Sequence, residues 1–346
     1  MVILSKLLSP STQLRCILHC KSTNKLPSSF VRGLRQKKPI RRDGKMDLAP
    51  EQLIETPREN NMVPGLFKSY IFSICFCGSV FAGAAIWHYE KIRSKAQQKS
   101  ILNWAQSRWN ELEGWQEKEG DFRKFLNKWW NQLPDGEKLF WPICFLNLMV
   151  LASWHHPALK KTMFRYFCSN PAAKAVCWPL VLTSFSHYSL IHFGMNMYVL
   201  HSFSSTACRT LGQEQFLAMY LSGGVLSSLA SSTVKVMSRS IGPSIGASGA
   251  IMALLGYFCC TFPESRLGIV FIPNVTFSAE NALKGVMALD LAGIIFRWRL
   301  FDHAAHLGGS LFGVFYAHYG QYFWQKWKPF ITKWHNFRNE MEKKSE

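Results

Sequence analysis

Apolar residues are gathered along the chain into seven blocks: Ser69–His88, Leu139–His155, Tyr188–Ser205, Gln215–Val236, Ala247–Phe262, Ala279–Phe296 and Ala304–Tyr319. A hydrocarbon core about 30 Å thick asks for ~20 apolar residues per helix, and fewer where neighbours bury it. Each block therefore predicts a membrane-crossing helix. The first stands apart, because residues 89–138 form a polar, mixed-charge connector of helical character. The pattern predicts an all-α membrane protein in which one helix precedes a bundle of six, a 1+6 arrangement. Short loops let the six cover one another, which permits His, Asn, Ser and Gly inside several of them. An odd number of crossings puts the two ends on opposite sides of the membrane. In the tail, Trp324, Trp327 and Trp334 among lysines predict an interfacial helix followed by a solvated end.

Composition sharpens this picture. Only 18% of residues are charged, and most of these lie before residue 138 or after residue 325. Too few remain between to solvate a water-exposed globule. The formal net charge of +19 points at first to nucleic acid, yet residues 1–45 hold 11 Lys and Arg against the single acid Asp43. More than half the excess thus sits in one leader, and no nucleic-acid partner is expected. That leader is rich in Arg and Ser and opens with the amphipathic run Met1–Leu8, the composition of a mitochondrial transit peptide. It predicts a multi-pass protein of the mitochondrial inner membrane. The chain divides into a leader (1–47), a linker (48–68), the extra helix (69–88), the connector (89–138), the bundle (139–319) and a basic tail (320–346). Loop charges of Lys and Arg occur on both sides, so the positive-inside rule leaves orientation open. Of the ten cysteines, Cys75, Cys77, Cys144, Cys259 and Cys260 lie in apolar runs without zinc-type spacing and read as small buried hydrophobes. No disulfide framework is expected; Cys168 and Cys177, in one loop, are the one exception left open.

Polar groups at membrane depth cost free energy and are functional hypotheses by default. His192 and Asn196 stand four apart on one helical face of the third block. The fifth opens Gly246-Ala247-Ser248-Gly249, a serine at a helix start among residues that let backbone approach closely. The seventh opens Asp302-His303-Ala304-Ala305-His306. These three blocks are alternate crossings, so their N-terminal ends share one side of the membrane and the four polar side chains share one depth. A serine hydroxyl becomes a nucleophile when a histidine takes its proton, and the acyl intermediate needs donors aimed at its oxyanion. Ser248 and His306 can supply nucleophile and base; His192, Asn196 and helix-start amides can supply donors. Asp290, in the middle of the sixth block, is expected to pair with a neighbouring helix. Asp302 is expected to cap the last helix, and is the possible orienter of His306. A metal site built from His303, His306, His187 and His192 lacks the carboxylate or thiolate support and the His-Glu-x-x-His pattern such a site wants, so no metal and no cofactor is expected.

Gly246-Ala247-Ser248-Gly249, Ala305-His306-Leu307-Gly308-Gly309 and His187-x4-His192-x3-Asn196 resemble the three signatures of rhomboid intramembrane serine proteases, in the right order over residues 139–319. The extra first helix and the transit-like leader resemble the mitochondrial presenilin-associated branch. The resemblance implies a six-helix rhomboid bundle and a Ser248–His306 dyad, with an oxyanion hole of His192, Asn196 and the Ser248 amide. It also implies cleavage of single-span membrane proteins near helix-destabilising residues. Two departures stand out: Met252 replaces the aromatic found in many bacterial relatives four residues after the serine, and the Trp-Arg pair of their first loop has no counterpart between Pro157 and Trp178. The competing expectation is a catalytically silent relative that binds membrane helices as a scaffold.

Overall fold

A computed structural model describes residues 62–108, 121–240, 242–269, 272–298 and 301–345. The expected transit leader and most of the linker lie outside the described residues. The helices are α1 (Met62–Arg108), α2 (Asp121–Gln132), α3 (Asp135–His155), α4 (Lys160–Tyr166), α5 (Trp178–Leu182), α6 (Leu190–Met237), α7 (Ser248–Thr261), α8 (Ala279–Ile295), α9 (His303–Gln325) and α10 (Lys328–Ser345). The third and fourth apolar blocks are merged in α6, which breaks at Gly212 (φ 79°, ψ 161°). A side chain is strained at that φ, so glycine lets the chain turn there and start a second helical run. By length and composition α1 over Met62–Gln98 and the whole of α6 suit a membrane crossing. The pair Asp135–His155 and Pro157–Tyr166, bent by 97°, adds a third if it is one broken span rather than a re-entrant loop, and α7 is a shorter apolar helix.

Three features depart from the expected pattern. First, the chain is not wholly α-helical: β1 (Arg266–Ile269) and β2 (Ile272–Ser278) form an antiparallel hairpin between α7 and α8, pairing Arg266 with Ser278 and Leu267 with Phe277. Second, α1 is 47 residues long, about 70 Å and more than twice a hydrocarbon core. It overruns the apolar block at both ends because Pro64 falls in its first turn, where a missing N–H is tolerated, and because residues 89–108 are rich in good helix formers. Third, α9 continues to Gln325, six residues past the apolar block.

The core is centred on α6, α7 and α9, with Phe216, Tyr220, Leu200 and Leu254 almost without exposure. Small residues set the separation of these helices. A Cβ on Gly256 would lie 2.6 Å from the Ser310 carbonyl oxygen, and Cβ atoms on Gly309 and Gly313 would collide with the carbonyls of Gly249 and Ala253. The α7 and α9 backbones therefore touch directly, as small-residue faces allow in membranes.

Helix α1 runs antiparallel to the second half of α6: Tyr70 Oη lies 3.0 Å from Thr233 Oγ1 at one end, and Lys91 Nζ lies 2.8 Å from Glu214 Oε1 at the other. Phe81 stacks on Tyr316 of α9 (5.6 Å between centroids). Beyond the bundle α1 meets α10, where Arg93 donates to the Glu342 carboxylate and Trp334 to Glu90. The eight described cysteines are free thiols, Cys168 and Cys177 among them.

Direct backbone contact makes a test. Gly313→Ala is expected to destabilise by about 1–3 kcal/mol, the usual cost of overpacking. Gly78→Ala, with nothing within 4 Å of the added methyl, is expected to be neutral or slightly stabilising. Thermal unfolding of both in lipid-like detergent compares them, and equal midpoints would contradict the packing described.

Candidate active site

The site is assembled where the N-terminal ends of α6, α7 and α9 converge. Before α7 the chain is held as a short extended link: Ser244 and Ser169 exchange backbone hydrogen bonds (2.8 and 2.9 Å), and the Gly246 amide donates to the Thr183 carbonyl (3.2 Å). Gly246 then takes φ 135°, a left-handed conformation that side chains resist. A Cβ there would stand 2.8 Å from His192 Cε1 and 3.7 Å from Ser248 Oγ, so glycine is what lets the imidazole lie over this link. Ala247 is fully buried, and Ser248 opens the helix.

One turn into α9, His306 places Nε2 2.8 Å from Ser248 Oγ. The Phe301 ring lies against the imidazole, with centroids 6.0 Å apart and planes at 33°. An aromatic partner is thus present although Met252 occupies the position four residues after the serine. It comes from the segment before α9, where spacing from the serine gave no cue.

His192 is fixed by its helix start and its neighbours. The N-cap Ser189 accepts its amide hydrogen (3.2 Å), and the fully buried His187 ring packs edge-on at 5.0 Å. Asn196 is buried, and its Nδ2 donates to the His192 carbonyl at 3.0 Å. The two side chains therefore share the face that meets Gly246.

Asp302 caps the last helix and Asp290 pairs with a neighbouring one, as the sequence suggests; what differs is which acid stands beside His306. Asp302 is the N-cap of α9: Oδ1 accepts from the Ala305 amide (3.1 Å), and Oδ2 accepts from Ser231 (2.6 Å) and, over a short contact, from Ser244. Lys235 Nζ stands 3.9 Å from Oδ2 and donates to the Gly242 carbonyl (2.9 Å). This carboxylate ties the end of α6, the link before Ser248 and the start of α9 together. It is not the acid beside the imidazole. That acid is Asp290 of α8, whose Oδ1 lies 3.5 Å from His306 Nδ1 and 2.8 Å from His303 Nδ1. Asp302 is turned away because a cap must face the first amides of its own helix, whereas Asp290 projects across from the neighbouring helix. Among the described residues no group of three or more His, Cys, Asp and Glu is placed to hold a metal ion.

The Rhomboid domain family model matches residues 174–323. The chain is 49% identical to presenilin-associated rhomboid-like protein, mitochondrial, of Bos taurus over 280 residues, 81% of this chain and 74% of that protein. It is 32% identical to Rhomboid protein 1, mitochondrial, of Saccharomyces cerevisiae over 185 residues, 53% of each chain. With Rhomboid protease GluP of Bacillus subtilis it shares 29% identity over 145 residues, 42% of this chain and 26% of that protein.

The Asp302 network is tested by its two simplest replacements. Asp302→Ala removes the cap and the carboxylate facing Lys235, and is expected to cost about 1–3 kcal/mol. Asp302→Asn keeps a good capping oxygen and is expected to retain more than half of that stability. Thermal midpoints measured side by side check the order, and Asp302→Ala at wild-type stability would contradict it.

Proposed function

The chain belongs to the rhomboid family, in its mitochondrial presenilin-associated rhomboid-like group, and from that premise we propose that it is an intramembrane serine endopeptidase of the mitochondrial inner membrane. Its substrates are single-span membrane proteins, cleaved in or near their spans. The observation that carries the reading is the 2.8 Å contact between Ser248 Oγ and His306 Nε2, made by side chains of two helices that touch backbone to backbone.

Depth supports it. Read as a 1+6 arrangement, α1 is the extra span, and α3, the two halves of α6, α7, α8 and α9 form the bundle. The 14 residues of α7 reach only about 21 Å, short of the ~30 Å hydrocarbon core. At least one end, and on this reading the Ser248 end, then lies below the membrane surface. Irregular backbone at that depth is tolerated where it is buried in protein or lines a water-filled cavity. The link carrying Ser244 and Gly246 is held against protein by the polar side chains of Lys235, Ser231 and Asp302.

The chemistry follows from the atoms. Ser248 Oγ attacks the scissile carbonyl while its proton passes to His306 Nε2. The carbonyl oxygen becomes an oxyanion that faces the Ser248 amide and the side chains of His192 and Asn196. His306 returns the proton to the departing amine, and water then attacks the acyl-serine with His306 again as base. The Asn196 amide has a second hydrogen to offer beyond the one given to the His192 carbonyl. Gly246 leaves His192 room to stand over the reacting centre.

Initial cleavage rates of a reconstituted transmembrane substrate test the roles. Ser248→Ala is expected to abolish turnover, His306→Ala to be nearly as severe, and the double variant to cost little more than either. Asn196→Ala is expected to lose about 10²–10³ in rate, the worth of one oxyanion donor. Full activity in Ser248→Ala would end the serine-protease reading. Absence of cleavage by the folded wild-type chain on every substrate would favour the scaffold instead.

A further inference from the structure

The imidazole of His306 has two nitrogens, and only one faces the serine. Nδ1 points to α8, where Asp290 Oδ1 lies 3.5 Å away. Asp290 is 1% exposed, and among the described residues no Lys or Arg pairs with it. A carboxylate so buried is costly unless something specific engages it. His303, one turn before His306 on the same helix, does so with Nδ1 at 2.8 Å from Oδ1. The His303 ring fits because position 293 is glycine; any Cβ there would strike it. Trp298 and Phe301 wall the same ring at 5.8 and 6.0 Å. One oxygen of Asp290 is therefore aimed between two imidazoles, while Oδ2 and His303 Nε2 are buried without a hydrogen-bond partner among the described residues.

We propose that Asp290 is a positioning residue of the proteolytic machinery, holding His306 in the tautomer that can accept the proton of Ser248, with His303 as the clamp that aims the carboxylate. The inference rests on the serine-protease reading above. Its chemical basis is that neutral imidazole carries one proton. To be a base toward Ser248, Nε2 must be bare, so the proton must be on Nδ1, and an acceptor at Nδ1 selects that form. At 3.5 Å the contact is longer than a good hydrogen bond. Contacts of this kind commonly tighten when substrate binds. When His306 takes the serine proton it becomes an imidazolium, and the carboxylate lies beside the new charge. The proton remains on the imidazole throughout; Asp290 orients and stabilises, and does not itself become protonated.

A purely structural role, pairing α8 with α9 through His303 alone, predicts a different outcome. The full chain in lipid is compared with Asp290→Asn, whose amide can donate to Nδ1 and so favour the wrong tautomer. The expected result is a fall in kcat of about 10²-fold or more, below the ~10⁴ loss of a triad with a tight acid–imidazole bond, and a KM within about twofold of wild type. Fold is checked by thermal shift. Nitrogen-15 NMR of His306 in the wild-type protein supplies a readout independent of activity and of any variant's folding: Nδ1 protonated and Nε2 bare is expected. An Nε2-protonated ground state would overturn the proposal, as would a folded Asp290→Asn with kcat within about twofold of wild type. Neither result would touch the serine-protease reading, which falls only if Ser248→Ala still cleaves.

Discussion

The contact between α7 and α9 is the constraint on which the rest of the molecule depends. Helices separated by ordinary side chains run 8–10 Å apart. Here Gly309 faces the Gly249 carbonyl, Gly256 faces Ser310 and Gly313 faces Ala253, leaving no side chain between the two backbones. In lipid there is little hydrophobic force to press helices together, so packing of this intimacy must come from shape. Its consequence is local and chemical. With the backbones in contact, a serine at the first position of one helix and a histidine one turn into the other meet at 2.8 Å with ordinary short side chains.

The acids in that place are each held by specific neighbours. Asp302 gathers Ser231, Ser244, Lys235 and the Ala305 amide, so one capping carboxylate fastens three chain segments around the serine. Asp290 and His303 do the corresponding service on the far side of His306. Gly246 admits the His192 ring, and the buried His187 fills the space behind it. The long α1 is braced against the bundle at Glu214, the buried acid two residues past the Gly212 break in α6. Function and fold meet in the same residues: those that satisfy buried polar atoms also fix the geometry of the candidate machinery.

Much of this was legible in the sequence because it follows from periodicity and direction. Blocks read as alternate crossings start on one side, which is why residues near the starts of the third, fifth and seventh blocks are expected together, and the structure brings Ser248 and His306 into contact. What was not legible depends on rotation and on partners distant in sequence. Asp302 stands four residues before His306, yet its place as a cap turns it toward α6, while Asp290, sixteen residues away on another helix, reaches the imidazole. Phe301 rather than Met252 flanks the ring, since the approach comes from the link before α9. The hairpin of β1 and β2 is not legible from the apolar blocks, because β pairing in so short a stretch has only a weak alternating signal. The ends of α1 were underestimated because polarity ends a membrane span but not a helix.

The most direct test of the central claim is the site at which a serine-reactive fluorophosphonate bonds to the folded, full-length protein, read by mass spectrometry of its peptides. A single adduct on Ser248, absent when His306 is replaced by alanine, is the predicted result. An unlabelled protein of intact fold, or an adduct that persists without His306, would contradict the account.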